Sequence, residues 1–266
     1  MTSNRDPAAL AREAVERGAD ALGVAGGDGS LAVVAAAAAA HGLPFTCIPA
    51  GTRNHFARDL GIDRQDLIGA LDAFTDGMER RIDLAEVNGR VYVNNVSLGI
   101  YGDAVRRPTY RDEKVRTLLL TVEEVLGPSA GVPKVHIVDD LGRDHIGPAL
   151  LLVSNNPYAL DPPATPGTRP ALDSGQLGIL VVDAPRPDRP PRGRAWSAPR
   201  LSVDATGPVH AGIDGEAVDL IPPLAFVIRS AVLRVRISAG HPSVSSTARS
   251  AGGAKRADRR PVDSGP

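Results

Sequence analysis

The chain of 266 residues is 42% hydrophobic and 23% charged, enough apolar material for one large or two modest packed domains. A formal net charge of −1 gives no overall attraction to nucleic acid or to an anionic membrane, so no nucleic-acid partner is expected. The single cysteine, Cys47, excludes an internal disulfide and, within PFTCIP, reads as a buried thiol that suits a cytoplasmic location. MTSNRDPAAL lacks the basic start and apolar run of a secretory signal, and the longest apolar run, Leu31 to Ala40, is about half the length of a bilayer-spanning helix.

Asp6 before Pro7 predicts an N-cap and a first helical residue, and Leu10, Ala14 and Arg17 then share one face, so residues 7–17 are expected to be helical. DALGVAG reads as a short buried strand, SLAVVAAAAAAHG as a helix whose small side chains let it lie close to a sheet, and PFTCIPAG as a second strand running into a loop. Alternation of helix and strand predicts a parallel sheet. NHFARDLG and RQDLIGALDAFTDG add two helical patches up to about Gly77.

Beyond that point RRIDLAEV and RVYVNNVSLGI are rich in β-branched residues and are separated by the turn signal Asn88-Gly89. Further strands are expected near 134–139, 148–154, 177–182, 200–204, 208–213, 224–228 and 232–237, interrupted by one amphipathic helix from about Tyr110 to Leu126. The expected class is α/β + β: a short α/β nucleotide-binding domain over 1–79, an antiparallel β-sandwich over 80–238 and a disordered tail over 239–266. Asp183–Arg194 reads as a solvated Pro/Arg-rich connection and Trp196 as a strand anchor, and the six histidines show no metal-ligand spacing.

GVAGGDGSLAVVAA, from Gly23 to Ala36, places an acid in a glycine turn between a strand and a helix. Backbone N–H groups and a positive helix end at such a turn suit an anion. Asp28 itself would repel phosphate, so it makes sense there as a cation ligand, as the partner of a nucleophilic hydroxyl, or as a cap; the plainer alternative is that Asp28 or Ser30 merely caps the helix. IPAGTRNHFARDLGI, Ile48 to Ile62, supplies a second strand-end loop with Gly51, Thr52 and Asn54. Two loops at successive strand ends of one parallel sheet would line one crevice.

This pair resembles the GGDGT … P-x-GT-x-N-x-[FL]-A-x-x-L-G signature of the diacylglycerol kinase catalytic-domain family, which includes bacterial lipid kinases and sphingosine and ceramide kinases. Ser30 stands where threonine is usual, and Arg53 replaces a frequent glycine. The resemblance continues through YVNNVSLGIYGDAV, with Asn94 matching the family's asparagine, through the acidic turn in PALDSGQLGILVV, and through VHAGIDGEAVDL, which matches the closing D-G-E motif. It spans roughly residues 20 to 237.

The resemblance implies an ATP- and Mg²⁺-dependent lipid kinase that phosphorylates a hydroxyl of diacylglycerol or a related lipid alcohol, with the active site between the two domains. It implies that Gly26, Gly27, Asp28, Gly29, Ser30, Gly51, Thr52 and Asn54 contact nucleotide, that Asp214 is the general base with Asp28 its rival, and that Glu216 supports metal binding. Asp173 matches an acid of a structural metal site, where Gly178 replaces a common second acid. The family pattern opens with a strand and an N-P-x-[SA]-G loop ahead of the segment that matches Met1 onward, so weaker ATP binding is expected of this form. Peripheral membrane contact, helped modestly by the basic residues of the tail, follows from a lipid substrate. Two alternatives stand beside this reading: an NAD kinase-like enzyme, which shares the GGDGT turn, and a noncatalytic nucleotide- or lipid-binding protein.

Overall fold

The computed structural model describes residues 6–99, 135–160, 167–183 and 193–239. The expected helix at 110–126, most of the 183–194 connection and nearly all of the 239–266 tail lie outside them.

Helix α1 (Pro7–Glu16) starts as its sequence predicts: the Asp6 side chain accepts a hydrogen bond from the Ala8 N–H at 3.1 Å and proline occupies the first turn. Strand β1 (Leu22–Gly26), helix α2 (Asp28–Ala40) and strand β2 (Pro44–Pro49) form a β-α-β unit whose strands pair in parallel from Leu22–Phe45 to Gly26–Pro49. On α2 the small residues Ala32, Ala35 and Ala38 are buried, so the helix lies close to the sheet beneath. Two short helices follow, α3 (His55–Asp59) and α4 (Leu67–Leu71), and a single turn of 3-10 helix closes the segment at Phe74.

Strand β3 (Gly77–Val87), β4 (Arg90–Tyr92) and β5 (Asn95–Gly99) come next, then β6 (Val135–Val138), β7 (Asp144–Ile146), β8 (Leu150–Asn155) and β9 (Leu177–Val182). The remaining strands are β10 (Gly193–Ala198), β11 (Arg200–Ala205), β12 (Val209–Ile213), β13 (Glu216–Leu220) and β14 (Leu224–Ser238). The two strands expected at 224–228 and 232–237 are one strand, β14, whose register shifts between Arg229 and Leu233, where Ala231 has φ +54°.

That irregularity lets one strand serve two cores. The outer half of β14 pairs in parallel with β2 through Arg234–Pro44, and Leu233, Val235 and Ile237 join Phe45, Phe56, Ile82 and the α2 alanines in the first core. The inner half pairs with β11, and Leu224, Phe226 and Ile228 face a second core with Ala85, Val87, Val96, Leu151 and Ile213. β3 runs antiparallel beside β14 along both halves, so the expected boundary at 79/80 falls within a strand. The second core is closed by an antiparallel sheet of order β10-β9-β8-β5-β12-β13. Mixed α/β sheet and antiparallel sheet together are the α/β + β class read from the sequence. Trp196, on β10, packs against this second core as an anchor.

Among the described residues no helix is long and apolar enough to cross a membrane. Cys47 is buried on β2, and that burial pushes its thiol pKa up.

Candidate functional site

Asp28 occupies the first turn of α2, whose N-cap is Gly27 without a side-chain cap. Its carboxylate does not cap its own helix. One oxygen accepts from the His55 N–H and the other from the Phe56 N–H, both at 3.3 Å, so the acid of the first loop holds the start of α3 beyond the second. Phe56 is fully buried beside it, which fixes α3 by about 1.5–3 kcal/mol of apolar burial.

The second loop closes on itself through Asn54. Its side-chain oxygen accepts from the Gly51 N–H at 3.0 Å, and its amide nitrogen donates to Pro49 O at 2.8 Å and Gly51 O at 2.7 Å. Asn54 sits at φ +50°, a left-handed conformation that asparagine tolerates better than most residues. The two loops touch at Gly51, where an added Cβ would run into the backbone of Gly27. If these loops hold nucleotide, as the sequence leads us to expect, Gly51→Ala should push them apart and weaken nucleotide binding with little change in melting temperature, which titration calorimetry and a thermal melt on the same sample would separate. Equal affinity in the variant would mean that the loops do not act together.

The turn between β12 and β13 brings the third segment. Asp214 has φ +50° and Gly215 φ +90°, the left-handed pair of a tight hairpin. Glu216 lies against Gly29, where a Cβ would meet its carboxylate, and Arg53 Nη1 is 3.4 Å from the Cβ position of Gly215. Arg90 reaches Glu216 at 3.4 Å. The glycine turn, the Gly51–Asn54 loop and the Asp-Gly-Glu turn thus meet at one place.

Asp214 is half-buried and held by backbone. One oxygen accepts from the N–H of Asn94 at 2.8 Å and of Asn95 at 3.1 Å, the other from Val93 at 2.9 Å, and its own N–H donates to Asn95 O at 3.0 Å. Burial pushes its carboxyl up to about 7; the N–H groups of Val93 and Asn94 pull it down, the Asp28 charge raises it further and Asn95 opposes. A cleft of ≈ 300 Å³ opens beside it, lined by Asp214, Glu216 and Arg90 together with apolar residues that include Ala32, Val33, Ala36 and Ile213.

Asp173 is not joined to this cluster. It is exposed on the turn before β9, and that turn is tied elsewhere: the Ser174 N–H donates to the Asn156 side-chain oxygen at 2.9 Å and the Gly175 N–H to Asp83 at 2.7 Å. At Gly178 a Cβ would meet Ser154 Oγ and Pro157 Cα, so no second acid fits there. Among the described residues no group of three or more His, Cys, Asp or Glu side chains is placed to hold a metal by itself.

Two acids and a cation of the site's surroundings escape a reading of the sequence. Asp83 is buried and accepts from the Gly175 and Ala231 N–H groups, fastening the β14 irregularity to the acidic turn. Asp59 receives Arg169, a fully buried guanidinium that also bonds the Val93–Asn95 turn. None of the three has a spacing signal; only the improbability of burying a charge unpaired singles them out once burial is known.

The class these features define is an α/β sheet domain joined to an antiparallel sheet domain, with loops of both meeting at three carboxylates. The family model described as the diacylglycerol kinase catalytic domain matches residues 1–87. The chain is 42% identical over 91 residues to a diacylglycerol kinase of Bacillus subtilis, a match covering 34% of this chain and 30% of that protein. It is 29% identical over 269 residues to a probable YegS-like lipid kinase of Pseudomonas aeruginosa, covering 89% of this chain and 83% of the relative. A crystal structure of a putative diacylglycerol kinase from Bacillus anthracis superposes with a TM-score of 0.66 at 21% identity, over 90% of this chain and 84% of that one, and shares its fold. The first 87 residues thus resemble the diacylglycerol kinase catalytic domain, as the glycine turn and the Gly51–Asn54 loop led us to expect.

Proposed function

We propose that the protein is an ATP-dependent lipid kinase that transfers the γ-phosphoryl group to a hydroxyl of diacylglycerol or a related lipid alcohol. The observation that carries this reading is the cleft at Asp214: a carboxylate with a raised pKa, within the field of the acid of a glycine turn, in a cleft otherwise lined largely by apolar residues. A second apolar hollow of ≈ 260 Å³, lined by Leu152, Tyr158, Leu180 and Trp196, is on the β8–β9–β10 face. The cleft is the better place for the acceptor, because the reacting hydroxyl must come within hydrogen-bond reach of its base.

In this reading the Gly26–Ser30 loop and the N-terminus of α2 receive phosphate through backbone N–H groups, and the Gly51–Asn54 loop flanks it. Asp28 accepts one N–H on each oxygen, which leaves lone pairs free on both; Glu216 sits exposed against Gly29. This donor set fits Mg²⁺ arriving with the nucleotide, since that ion usually takes one or two carboxylates and completes its shell with phosphate and water. When bound it supplies charge neutralisation on the phosphates. Asp214 takes the proton of the acceptor hydroxyl, and its three backbone donors keep the carboxylate aimed while it does so.

Incubation with γ-labelled ATP, Mg²⁺ and a panel of lipid alcohols, with NAD as a further acceptor, tests this reading. Label in an organic-extractable product supports it; label in NADP would assign an NAD kinase-like activity, and nucleotide binding without transfer to any acceptor would make the protein a noncatalytic binder. The pH dependence is fixed in sign. A base with its pKa near 7 is protonated and inactive below that value, so kcat/KM should fall about tenfold per pH unit on the acid side of 7 and level off above it. A flat profile from pH 5 to 8 would remove Asp214 from the role of base.

A further inference from the structure

Three backbone N–H groups converge on Asp214 because the Val93–Asn95 turn between β4 and β5 is folded back on itself, and something must hold it there. The turn's outward-facing acceptors lead to one side chain. Arg169 Nη1 donates to Val93 O at 2.5 Å and to Asn155 O at 2.9 Å, its Nη2 donates to Asn94 Oδ1 at 2.7 Å, and its Nε donates to Asp59 Oδ2 at 2.7 Å. The Arg169 side chain is fully buried, and its guanidinium lies 5.8 Å from the centre of the Tyr158 ring, whose hydroxyl in turn accepts from the Asn95 side chain at 2.9 Å. Asn155 completes the frame: its N–H donates to Asn94 O at 2.9 Å and its amide nitrogen to Val93 O at 3.3 Å.

We propose that Arg169 is the positioning residue of the reaction: it fixes the Val93–Asn95 turn, and so the aim of the Asp214 carboxylate, and couples both to the α3 end of the nucleotide side through Asp59. This rests on the reading of Asp214 as the base. Burying a guanidinium costs several kcal/mol unless it is paired and hydrogen-bonded, and here one carboxylate neutralises it while three backbone or amide oxygens take three of its four other N–H donors. A simple structural prop at this place would be cheaper as an apolar side chain. The planar fork is what the job requires: its donors reach α3, the turn and β8 in fixed directions, whereas a lysine offers one nitrogen that cannot meet all of them. Asp28 is thereby connected to Asp214 by a continuous path, since Asp28 binds the first residues of α3 and Asp59 is the last.

Arg169→Lys, assayed well below its melting temperature, tests the assignment. We expect kcat to fall about 10- to 100-fold, the cost of a misaimed group, with the nucleotide and acceptor KM values changed by less than about threefold. In hydrogen exchange, the amides of Val93, Asn94 and Asn95 should lose protection while those of β9 and β12 keep theirs. A purely structural role would lower the melting temperature, loosen all three segments alike and leave kcat in place; that result overturns the proposal. Should the lysine variant fail to fold, Asn94→Ala removes only the Nη2 acceptor and must give the same split to a smaller degree, or the proposal falls. The exchange measurement needs no turnover: loss of protection confined to residues 93–95 in a protein without kinase activity would keep the positioning of the turn and refute the reading of Asp214 as a base.

Discussion

Asp214→Asn should lower turnover about 10²–10⁴-fold while nucleotide affinity changes little. Asparagine is nearly the same shape and tolerates the φ of +50° at this position, so the hairpin turn is kept. It cannot take a proton from a hydroxyl at neutral pH, which removes the chemistry. It also turns an amide nitrogen toward one of the donors of Val93, Asn94 or Asn95, leaving a buried N–H unpaired at a cost of about 1–3 kcal/mol, so activity must be read at a temperature where the variant is folded. Normal turnover would transfer the role of base to Asp28. Loss of ATP binding would instead make Asp214 part of the metal and phosphate site.

Asp28→Ala is expected to do damage of a different kind. The carboxylate ties the N–H groups of His55 and Phe56, so its removal leaves two donors at the start of α3 without their acceptor and should cost about 1–3 kcal/mol of stability. Because α3 follows directly on the Gly51–Asn54 loop, that loop loses its anchorage to the glycine turn, and the carboxylate we propose as a cation ligand is lost with it. Binding of Mg·ATP should weaken by at least about tenfold, measured by titration calorimetry, alongside a lower melting temperature. Asp28→Asn separates the two effects, since its amide oxygen can still accept from one N–H: stability should recover in part and nucleotide binding should not. Full recovery of both would leave Asp28 as a cap alone.

The different fates of sequence signals explain which parts of this fold were legible. Elements with dense apolar patterning, such as β8, β9 and β12, were found within a residue or two, because a strand buried on both faces needs a continuous apolar run. β7, β10 and β13 were not, and each is at the edge of its sheet, where one side faces solvent and polar residues such as Asp144, Arg194 and Glu216 break the period. The break at Arg229–Leu233 read as a loop between two strands because Arg-Ser-Ala interrupts the alternation; the backbone instead carries one strand through it with Asp83 holding the Ala231 N–H. Glycine turns and the Asp-Gly-Glu motif were legible because their backbone demands limit which residues can stand there.

The partners of the site residues were a different matter. That Asp28 would cap something was open from the sequence; that it would hold α3, 27 positions further on, depends on the packing of two loops. Asp59 and Arg169 are 110 positions apart and lie in ordinary strings, ARDLG and GTRPAL, so only the closed fold brings them together. Asp173 had a motif and is exposed on a turn tied to other residues, whereas Arg169 had none and sits at the hub. Sequence patterns record what the backbone must do at a residue, and they record poorly which distant group a side chain will meet.

In the proposed reading the glycine turn, the Gly51–Asn54 loop and the Asp-Gly-Glu turn act together on one nucleotide. Backbone amide chemical shifts recorded during titration with Mg²⁺ and a nonhydrolysable ATP analogue test it most directly. The largest changes, saturating with one common affinity, are expected at Gly26–Ser30, Gly51–Asn54 and Gly215–Glu216. Changes confined to one of these segments, or centred on the β8–β9–β10 hollow near Trp196, would contradict it.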